Sequence, residues 1–164
     1  MNVIFFDDTE TRRHLLPLTY TRPACHLRLG ITTIEDKWRE MLGGQHHYSH
    51  LTASYLKAKY RTVARSVNLL VAAHVVPTPE LAARVLALRQ GDALVADDGT
   101  LVAFHGVAHE FDNRTWARTI AAGEVMAVTR LYHIFENNAA VLESDYARLT
   151  AGRSGAPLPP SCTL

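Results

Sequence analysis

Two short apolar runs stand out in the pattern of hydrophobic and polar positions along the chain. Val3 to Phe6 is entirely apolar and is followed at once by Asp7 and Asp8, as in a buried strand that ends at a polar loop. Residues 68–76 are almost continuously apolar and predict a central strand. Neither run shows the alternation of a half-exposed strand, which favours a parallel sheet covered on both faces.

Helical spacing begins after the first strand and its loop. Thr32 and Glu35 are spaced as a capping box, and the helix that they begin ends at Gly43-Gly44. A second helix is predicted over residues 52–60, where Tyr55, Leu56 and Tyr60 fall on one side.

The second half of the chain repeats the strand-then-helix order. Thr78 suits an N-cap and Pro79 the first helical position, and Gly91 ends the helix that they start. A final helix is predicted over residues 131–149, ended by Gly152.

A hairpin lies between these two helices. Residues 93–95 and 101–104 are apolar and flank Asp98-Gly99, a turn signal, and residues 125–128 predict one more strand. Residues 7–30 have no clean period and predict a long loop. We therefore predict an α/β fold with a Rossmann-like, mostly parallel sheet flanked by helices.

The hydrophobic content, the charge and the start of the chain indicate which partners and which location to expect. The chain has 164 residues, of which 48% are hydrophobic and 20% charged, with a formal net charge of +1. That balance gives no reason to expect nucleic acid or a membrane as a partner, and the apolar start lacks the basic residues of a signal peptide, so a cytoplasmic protein is expected. Residues 1–152 are interpreted as one domain and residues 153–164 as a Pro-rich linker or tail, which suggests that a further segment follows in a longer protein.

One segment carries a family resemblance. Leu16-Pro17-Leu18-Thr19-Tyr20-Thr21-Arg22-Pro23, then residues 27–30 and Thr33-Ile34, is similar to the entrance loop of nucleoside-triphosphate:sugar-phosphate nucleotidyltransferases. More closely, the chain resembles a branch related to the bacterial N-acetylglucosamine-1-phosphate uridyltransferases, in which a left-handed β-helix usually follows. The pattern of that branch is matched by Phe6-Asp7-Asp8, Leu16 to Pro23, Arg28, Gly30, Thr33-Ile34 and Lys37-Trp38.

The resemblance implies a reaction between a nucleotide and a sugar phosphate, with Mg²⁺ as cofactor. Asp7 and Asp8, at the carboxyl end of the first strand, are the candidate metal ligands, and Arg22 and Arg28 are the catalytic candidates. Phosphate binding is assigned to Arg12, Arg13, Thr19 and Thr21. Alternatively, the arginines belong to a solvated loop with local ion pairs, and the aspartates cap loop backbone as Asx-turns.

Three positions depart from the family pattern. Residues 7–13 replace the Gly-rich loop that would cradle a triphosphate, Ala24 stands where the family has a lysine, and His74 stands where an aspartate would bind metal. The leading hypothesis is a sugar-1-phosphate nucleotidyltransferase. The alternatives are a catalytically impaired nucleotide- or sugar-binding module, or a structural domain attached to a β-helix, and formation of a homo-oligomer is left open.

Histidines and cysteines offer a weaker signal. His46, His47 and His50 form a cluster in the sequence. His46 and His50 would share one face of a helix and could bind zinc, but no third ligand for that face is obvious, and a surface loop is favoured. Cys25 is interpreted as a small buried hydrophobe rather than a nucleophile.

Overall fold

A computed structural model describes residues 1–155 of the chain. The strands are β1 (Asn2–Phe6), β2 (Arg28–Leu29), β3 (Thr32–Thr33), β4 (His47–Leu51), β5 (Asn68–Ala72), β6 (Asp92–Ala96), β7 (Leu101–Gly106) and β8 (Arg118–Gly123). The helices are α1 (Thr9–His14), α2 (Ile34–Leu42), α3 (Pro79–Leu86), α4 (Ala108–Asp112) and α5 (Leu131–Thr150). Single 3₁₀ turns span Ala24–His26 and Ser54–Leu56.

Six strands form the main sheet in the order β4-β1-β5-β7-β6-β8. Strand β1 lies between β4 and β5 and is parallel to both, so that Ile4 faces Ser49 on one side and Leu70 on the other. Strand β7 alone runs antiparallel, because it forms the hairpin with β6. The predicted α/β fold with a mostly parallel sheet is confirmed.

The strongest local signals produced the predicted elements. All five residues of β1 and all five of β5 are buried, as their apolar runs predict. Thr78 caps α3 through its side chain with Pro79 in the first turn, the hairpin turns at Asp98-Gly99, and α5 spans the predicted final helix. No helix among residues 1–155 combines the length and hydrophobicity needed to cross a bilayer.

Five predictions in the structural details were wrong. The loop after β1 contains α1, because Asp8 caps the backbone N–H of Thr11 and starts a helix. The capping box of α2 uses Thr33 and Asp36, one residue later than predicted, since Thr32 pairs with Leu29 in the β2–β3 ribbon.

The other three concern a predicted helix, a predicted loop and the last strand. Residues 52–60 hold only a 3₁₀ turn. Of the histidines predicted in a surface loop, His47 and His50 belong to β4, the edge strand beside β1, and His46 directly precedes it. The last strand lies at β8, whereas residues 125–128 contribute a single bridge between Val75 and Ala127. The predicted tail falls mostly outside the described residues.

A buried ion pair joins α2 to α5. Lys37 Nζ lies 2.6 Å from Asp145 Oδ2, and both side chains are almost fully enclosed. Asp145 also accepts from the backbone N–H of Ile31 at 2.9 Å and from Arg148 Nη2 at 2.9 Å. Gly30 makes this approach feasible, because it has a φ of +71° and an added Cβ would lie 2.7 Å from Asp145 Oδ2.

We expect Asp145→Ala to lower the free energy of unfolding by about 3–5 kcal/mol, because it leaves the Lys37 ammonium buried without its partner. Chemical denaturation measures this change. Glu143→Ala, on an exposed position of the same helix, is the matched control and should change stability by roughly 0.5 kcal/mol or less. Equal effects of the two substitutions would contradict a structural role for the pair.

The stability difference should also depend on pH. Burial alone would raise the pKa of Asp145, but Lys37, Arg148 and the Ile31 N–H hold it below the ordinary 3.8. The unfolded state therefore takes up a proton first as the pH falls through 3.8, and the stabilisation by this carboxylate declines there. Denaturation curves at pH 7 and near pH 3 measure this effect. The difference in free energy of unfolding between wild type and Asp145→Ala should be smaller at the lower pH.

Candidate active site at the carboxyl ends of the parallel strands

A cavity of about 220 Å³ opens at the carboxyl ends of β1, β5 and β6. These strands run in one direction, so the residues that follow them meet at one edge of the sheet, which is where α/β folds bind ligands. Its polar lining comprises Asp8, Thr11, His74, Asp98, Thr100 and Arg114. We call this cavity the cleft.

Asp8 reaches the cleft from the start of α1. Its Oδ1 accepts the backbone N–H of Thr11 at 2.8 Å, which is an N-cap contact. Burial alone would raise the pKa of Asp8, but the hydrogen bonds from Thr11 and the nearby His74 and Arg114 hold it below the ordinary value. Asp8 is therefore a carboxylate at neutral pH.

His74 follows β5 and forms the floor of the cleft. Only 3% of the residue is exposed, and its Nδ1 has no hydrogen-bond partner within the described residues. Burial lowers the pKa of His74, and the facing carboxylates of Asp8 and Asp98 offset this only in part. A neutral imidazole with an unsatisfied ring nitrogen at a cavity wall indicates a missing partner, because buried polar atoms are rarely left unpaired.

Arg114 supplies positive charge from the segment after α4. Its φ of 52° makes it the one non-glycine residue of the described chain with a left-handed backbone. Arg114 lines the cleft and two adjoining hollows, one of which it shares with Arg13 and His14. Strained backbone of this kind is often retained where it positions a functional side chain.

Asp7, by contrast, points into the protein. Its carboxylate is only 2% exposed, accepts the backbone N–H of Ala24 at 2.9 Å and a hydrogen bond from Thr52 Oγ1, and lies 3.4 Å from Arg12 Nε. Burial raises the pKa of Asp7, and these donors offset the effect in part. The two neighbouring aspartates thus face different environments.

Arg12 and Thr19 belong to the same interior network. Arg12 Nη2 donates to the carbonyl of Thr19 and to Tyr55 Oη at 2.8 Å, while Thr19 Oγ1 donates to the carbonyl of Arg12 at 2.8 Å. These two hydrogen bonds between Arg12 and Thr19 tie the end of α1 to the entrance loop. Arg13, by contrast, is exposed and lines the hollow beside the cleft that Asp8 and Arg114 also line.

The remaining predicted residues lie away from the cleft. Arg28 is on the β2–β3 ribbon, where its guanidinium donates to the carbonyl of Ile31, and this ribbon packs on α5. Thr21 and Arg22 are exposed on the entrance loop. The structure therefore brings together Asp8 and Arg13, and it adds His74, Asp98 and Arg114.

Sequence reasoning missed two of these residues as ligand groups. Asp98 was read only as a turn residue, although a carboxylate after a strand of a parallel sheet is also a binding signal. Arg114 lies in a segment without periodicity and offered no local signal. His74 was noted, but only as a substitute for a carboxylate.

The donor set of the cleft fits a magnesium ion. Mg²⁺ takes oxygen ligands and keeps several waters, so it needs only one or two carboxylates beside a substrate phosphate. Asp8 and Asp98 each have one oxygen bonded to local backbone, at Thr11 and Thr100, and a second oxygen for a ligand. Asp7 does not fit, since its carboxylate is enclosed by protein donors.

Comparison with protein families gives one result. The sequence model of the family described as "Sugar nucleotidyl transferase" matches residues 3–154, which is nearly the whole chain. No protein of curated function matches significantly.

The different settings of Asp7 and Asp8 predict different mutant phenotypes. Asp7→Ala should lower the free energy of unfolding by about 3–5 kcal/mol, because Arg12 is left buried without a counter-charge. Asp8→Ala should lower it by only about 1 kcal/mol, the value of an N-cap. Urea denaturation followed by circular dichroism measures both, and a smaller loss for Asp7→Ala than for Asp8→Ala would overturn the assignment.

Proposed function

The chain belongs to the sugar nucleotidyl transferase family, and we propose that it joins a sugar 1-phosphate to a nucleoside triphosphate in the cleft. The observation that carries the proposal is the convergence of Asp8, Asp98, Arg114 and the unsatisfied Nδ1 of His74 at the carboxyl ends of parallel strands. The carboxylates of Asp8 and Asp98 suit a metal ion, and the positive charge of Arg114 suits phosphate. Family membership supports a general nucleotidyltransferase role, and the choice of substrates belongs to the proposal.

In this reaction an oxygen of the sugar phosphate attacks the α-phosphorus of the nucleotide. The bond between the α-phosphorus and its bridging oxygen breaks, and pyrophosphate leaves with the electron pair. Such a transfer needs in-line positioning and charge stabilisation more than covalent help from the protein. Asp8 and Asp98 would hold a magnesium ion, which would supply neutralisation of the phosphate charge.

The chain's own residues divide these tasks. The guanidinium groups of Arg114 and Arg13 bind phosphate oxygens through their paired N–H groups. Neutral His74 offers its Nδ1 to the substrate and orients it on the floor of the cleft. Asp7 acts as a positioning residue, because it holds the turn from which Asp8 projects.

The roles of Arg22 and Arg28 as catalytic residues stay predictions, as does phosphate binding by Thr21. Arg22 is exposed on the entrance loop and would have to turn toward a bound nucleotide. Arg28 would need to leave the Ile31 carbonyl. Phosphate binding by Arg12 and Thr19 would require their interior hydrogen bonds to open.

A second candidate is a module that binds the nucleotide without turnover. The observation that favours it is His74, because a buried neutral imidazole stands where the family pattern has a metal-binding aspartate. Ala24, which replaces the lysine of that pattern, is buried, and its N–H is bonded to Asp7. Asp98 is the residue that would compensate for the lost carboxylate if the reaction proceeds.

The closer relationship to N-acetylglucosamine-1-phosphate uridyltransferases also belongs to the proposal. It is supported by the motif from Phe6 to Trp38, whose first residues, Phe6 and Asp8, line the cleft. A left-handed β-helix would then be the segment that follows this domain in a longer protein. UTP and N-acetylglucosamine 1-phosphate are accordingly the first substrate pair to test.

Calorimetric titration with Mg²⁺ and each nucleoside triphosphate, followed by a pyrophosphate-release assay with a panel of sugar 1-phosphates, tests the proposal. We expect saturable binding and release of pyrophosphate that depends on the sugar phosphate. Binding without release would support the second candidate. An absence of binding to every triphosphate would overturn both.

Arg114→Gly should weaken nucleotide binding by about 10–100-fold, the value of a lost charge-assisted contact. Glycine accepts the φ of 52° at this position, so the melting temperature should stay the same or rise. Arg65→Ala removes an exposed arginine whose hydrogen bonds use only its backbone, and it is the matched control. Equal binding by the two variants would remove Arg114 from the site.

Arg22→Ala should weaken nucleotide binding and leave the melting temperature nearly unchanged, because its side chain is exposed. Calorimetry and thermal denaturation on the same preparation separate the two effects. A large drop in melting temperature would instead make Arg22 a structural residue of the entrance loop.

Self-association is proposed to use α5. Its outer face carries an exposed apolar stripe at helical spacing, in which Phe135 is 86% exposed. The stripe consists of Tyr132, Phe135, Leu142 and Tyr146. If a second copy covers it, sedimentation should show a dimer that Phe135→Glu dissociates, whereas a monomer at all concentrations would contradict the proposal.

A further inference from the structure

Four potential metal ligands meet at a point outside the cleft. They are Cys25, His26, Glu35 and His50, and their ligand atoms all lie within 4.8 Å of one another. We call them the Cys-His-Glu-His cluster. Among residues 1–155 it is the one group of three or more such side chains with this compactness.

The cluster is assembled from three elements of the fold. Cys25 and His26 come from the 3₁₀ turn of the entrance loop, Glu35 from the first turn of α2, and His50 from the edge strand β4. The predicted histidine cluster is thereby corrected, because His50 finds its partners in distant segments and not in His46 and His47. The third ligand that the local sequence lacks is supplied by tertiary structure.

The hydrogen bonding at the centre of the cluster is crowded. Glu35 Oε2 lies 2.7 Å from Nε2 of His26 and 2.7 Å from Nε2 of His50, and the thiol of Cys25 points at the same oxygen from 3.5 Å. A carboxylate oxygen offers about two lone-pair sites, so three donors exceed its capacity. A single cation among the four atoms would turn the three competing donors into ligands of one centre.

From this geometry we propose that the Cys-His-Glu-His cluster is a site for a zinc-class divalent cation, distinct from the magnesium site of the cleft. One thiolate, two imidazoles and one carboxylate are the donors that zinc takes in tetrahedral sites. A tetrahedral zinc site separates its donor atoms by roughly 3.3–3.8 Å, given the usual zinc–ligand bond lengths. The two imidazole nitrogens need to retreat from Oε2 by only about 0.6 Å to reach that spacing.

The surroundings suit a closed, structural site. Arg39 holds the other oxygen of Glu35, with Nε at 2.8 Å from Oε1, and so orients Oε2 toward the histidines. The ring of Tyr60 packs edge-on against His26 and His50, with ring centroids 5.0 and 5.4 Å apart. His26 is 32% exposed and provides the entry path for the ion.

The protonation states agree with such a role. Burial alone would raise the pKa of Glu35, but hydrogen bonds from His26 and His50 and the contact with Arg39 keep it far below its usual range, so that Glu35 is ionised. Burial and the nearby Glu35 raise the pKa of Cys25, so that the thiol keeps its proton in the absence of metal. Metal binding therefore releases the thiol proton to solvent as the sulfur becomes a thiolate ligand.

Cobalt(II) is the probe for the experiment, because it occupies zinc sites and reports their geometry by absorption. The background variant is Cys162→Ser, which leaves Cys25 as the single thiol of a chain with two cysteines. After treatment with a chelator, the protein is titrated with Co²⁺ in the absence of nucleotide, so the result is independent of activity in the cleft. We expect one Co²⁺ per chain, intense visible bands of a tetrahedral ion and a thiolate-to-cobalt charge-transfer band.

Variants then assign the ligands. Cys25→Ser should abolish the charge-transfer band. Loss of a residue that only orients a metal ligand typically weakens metal binding by roughly 10–100-fold. His26→Ala removes a ligand itself and should weaken Co²⁺ and Zn²⁺ binding by more than that. His47→Ala, an exposed histidine of the same strand as His50, is the matched control and should bind like the background. Zn²⁺ should raise the melting temperature of the background and of His47→Ala, but not that of His26→Ala.

Three results would overturn the proposal. They are the absence of stoichiometric Co²⁺ binding, weak bands typical of an octahedral surface ion, and binding that His26→Ala leaves unchanged. Should Cys25→Ser fail to fold by circular dichroism, His26→Ala still decides, because its partly exposed ring can be removed without opening the core.

Discussion

The buried carboxylate of Asp7 is the contact on which the functional edge of this protein depends. Asp7 directly follows β1 and accepts hydrogen bonds from the Ala24 N–H and the Thr52 hydroxyl, with Arg12 as its counter-charge. These partners come from the entrance loop, the segment after β4, and α1. Burial penalises the ionised form, so the contact persists only because several donors converge on it.

Both candidate sites are organised around that contact. Because Asp7 turns inward, the next residue, Asp8, caps α1 and faces the cleft. Ala24 directly precedes Cys25 and His26, and Thr52 follows β4, which carries His50. A metal ion in the Cys-His-Glu-His cluster would thus stiffen the same loop that holds Asp7, which links the proposed structural site to the geometry of the proposed active site.

How much of the site could be foreseen differs from residue to residue. Asp8 was accessible to sequence reasoning, because a carboxylate directly after a buried apolar run marks the carboxyl end of a strand. Its neighbour Asp7 carries the same local signal but faces inward, and nothing within a few residues distinguishes the two. For Glu35 the local signal predicted the wrong role. Its spacing from Thr32 fits a capping box, yet Asp36 caps the helix and Glu35 instead contacts His26 and His50.

The sequence by itself determined the α/β class, the buried strands β1 and β5, the hairpin between β6 and β7, the start of α3 and the family. Those features depend on apolar runs and on cap and turn residues, whose physical effects act within about one helical turn or along one strand. Only the tertiary structure decided that Nδ1 of His74 has no partner among residues 1–155, that Arg114 lines the cleft, and that His50 lies close to Cys25. These are encounters between residues far apart in the chain, and the packing of the sheet and the enclosure of Asp7 bring them together.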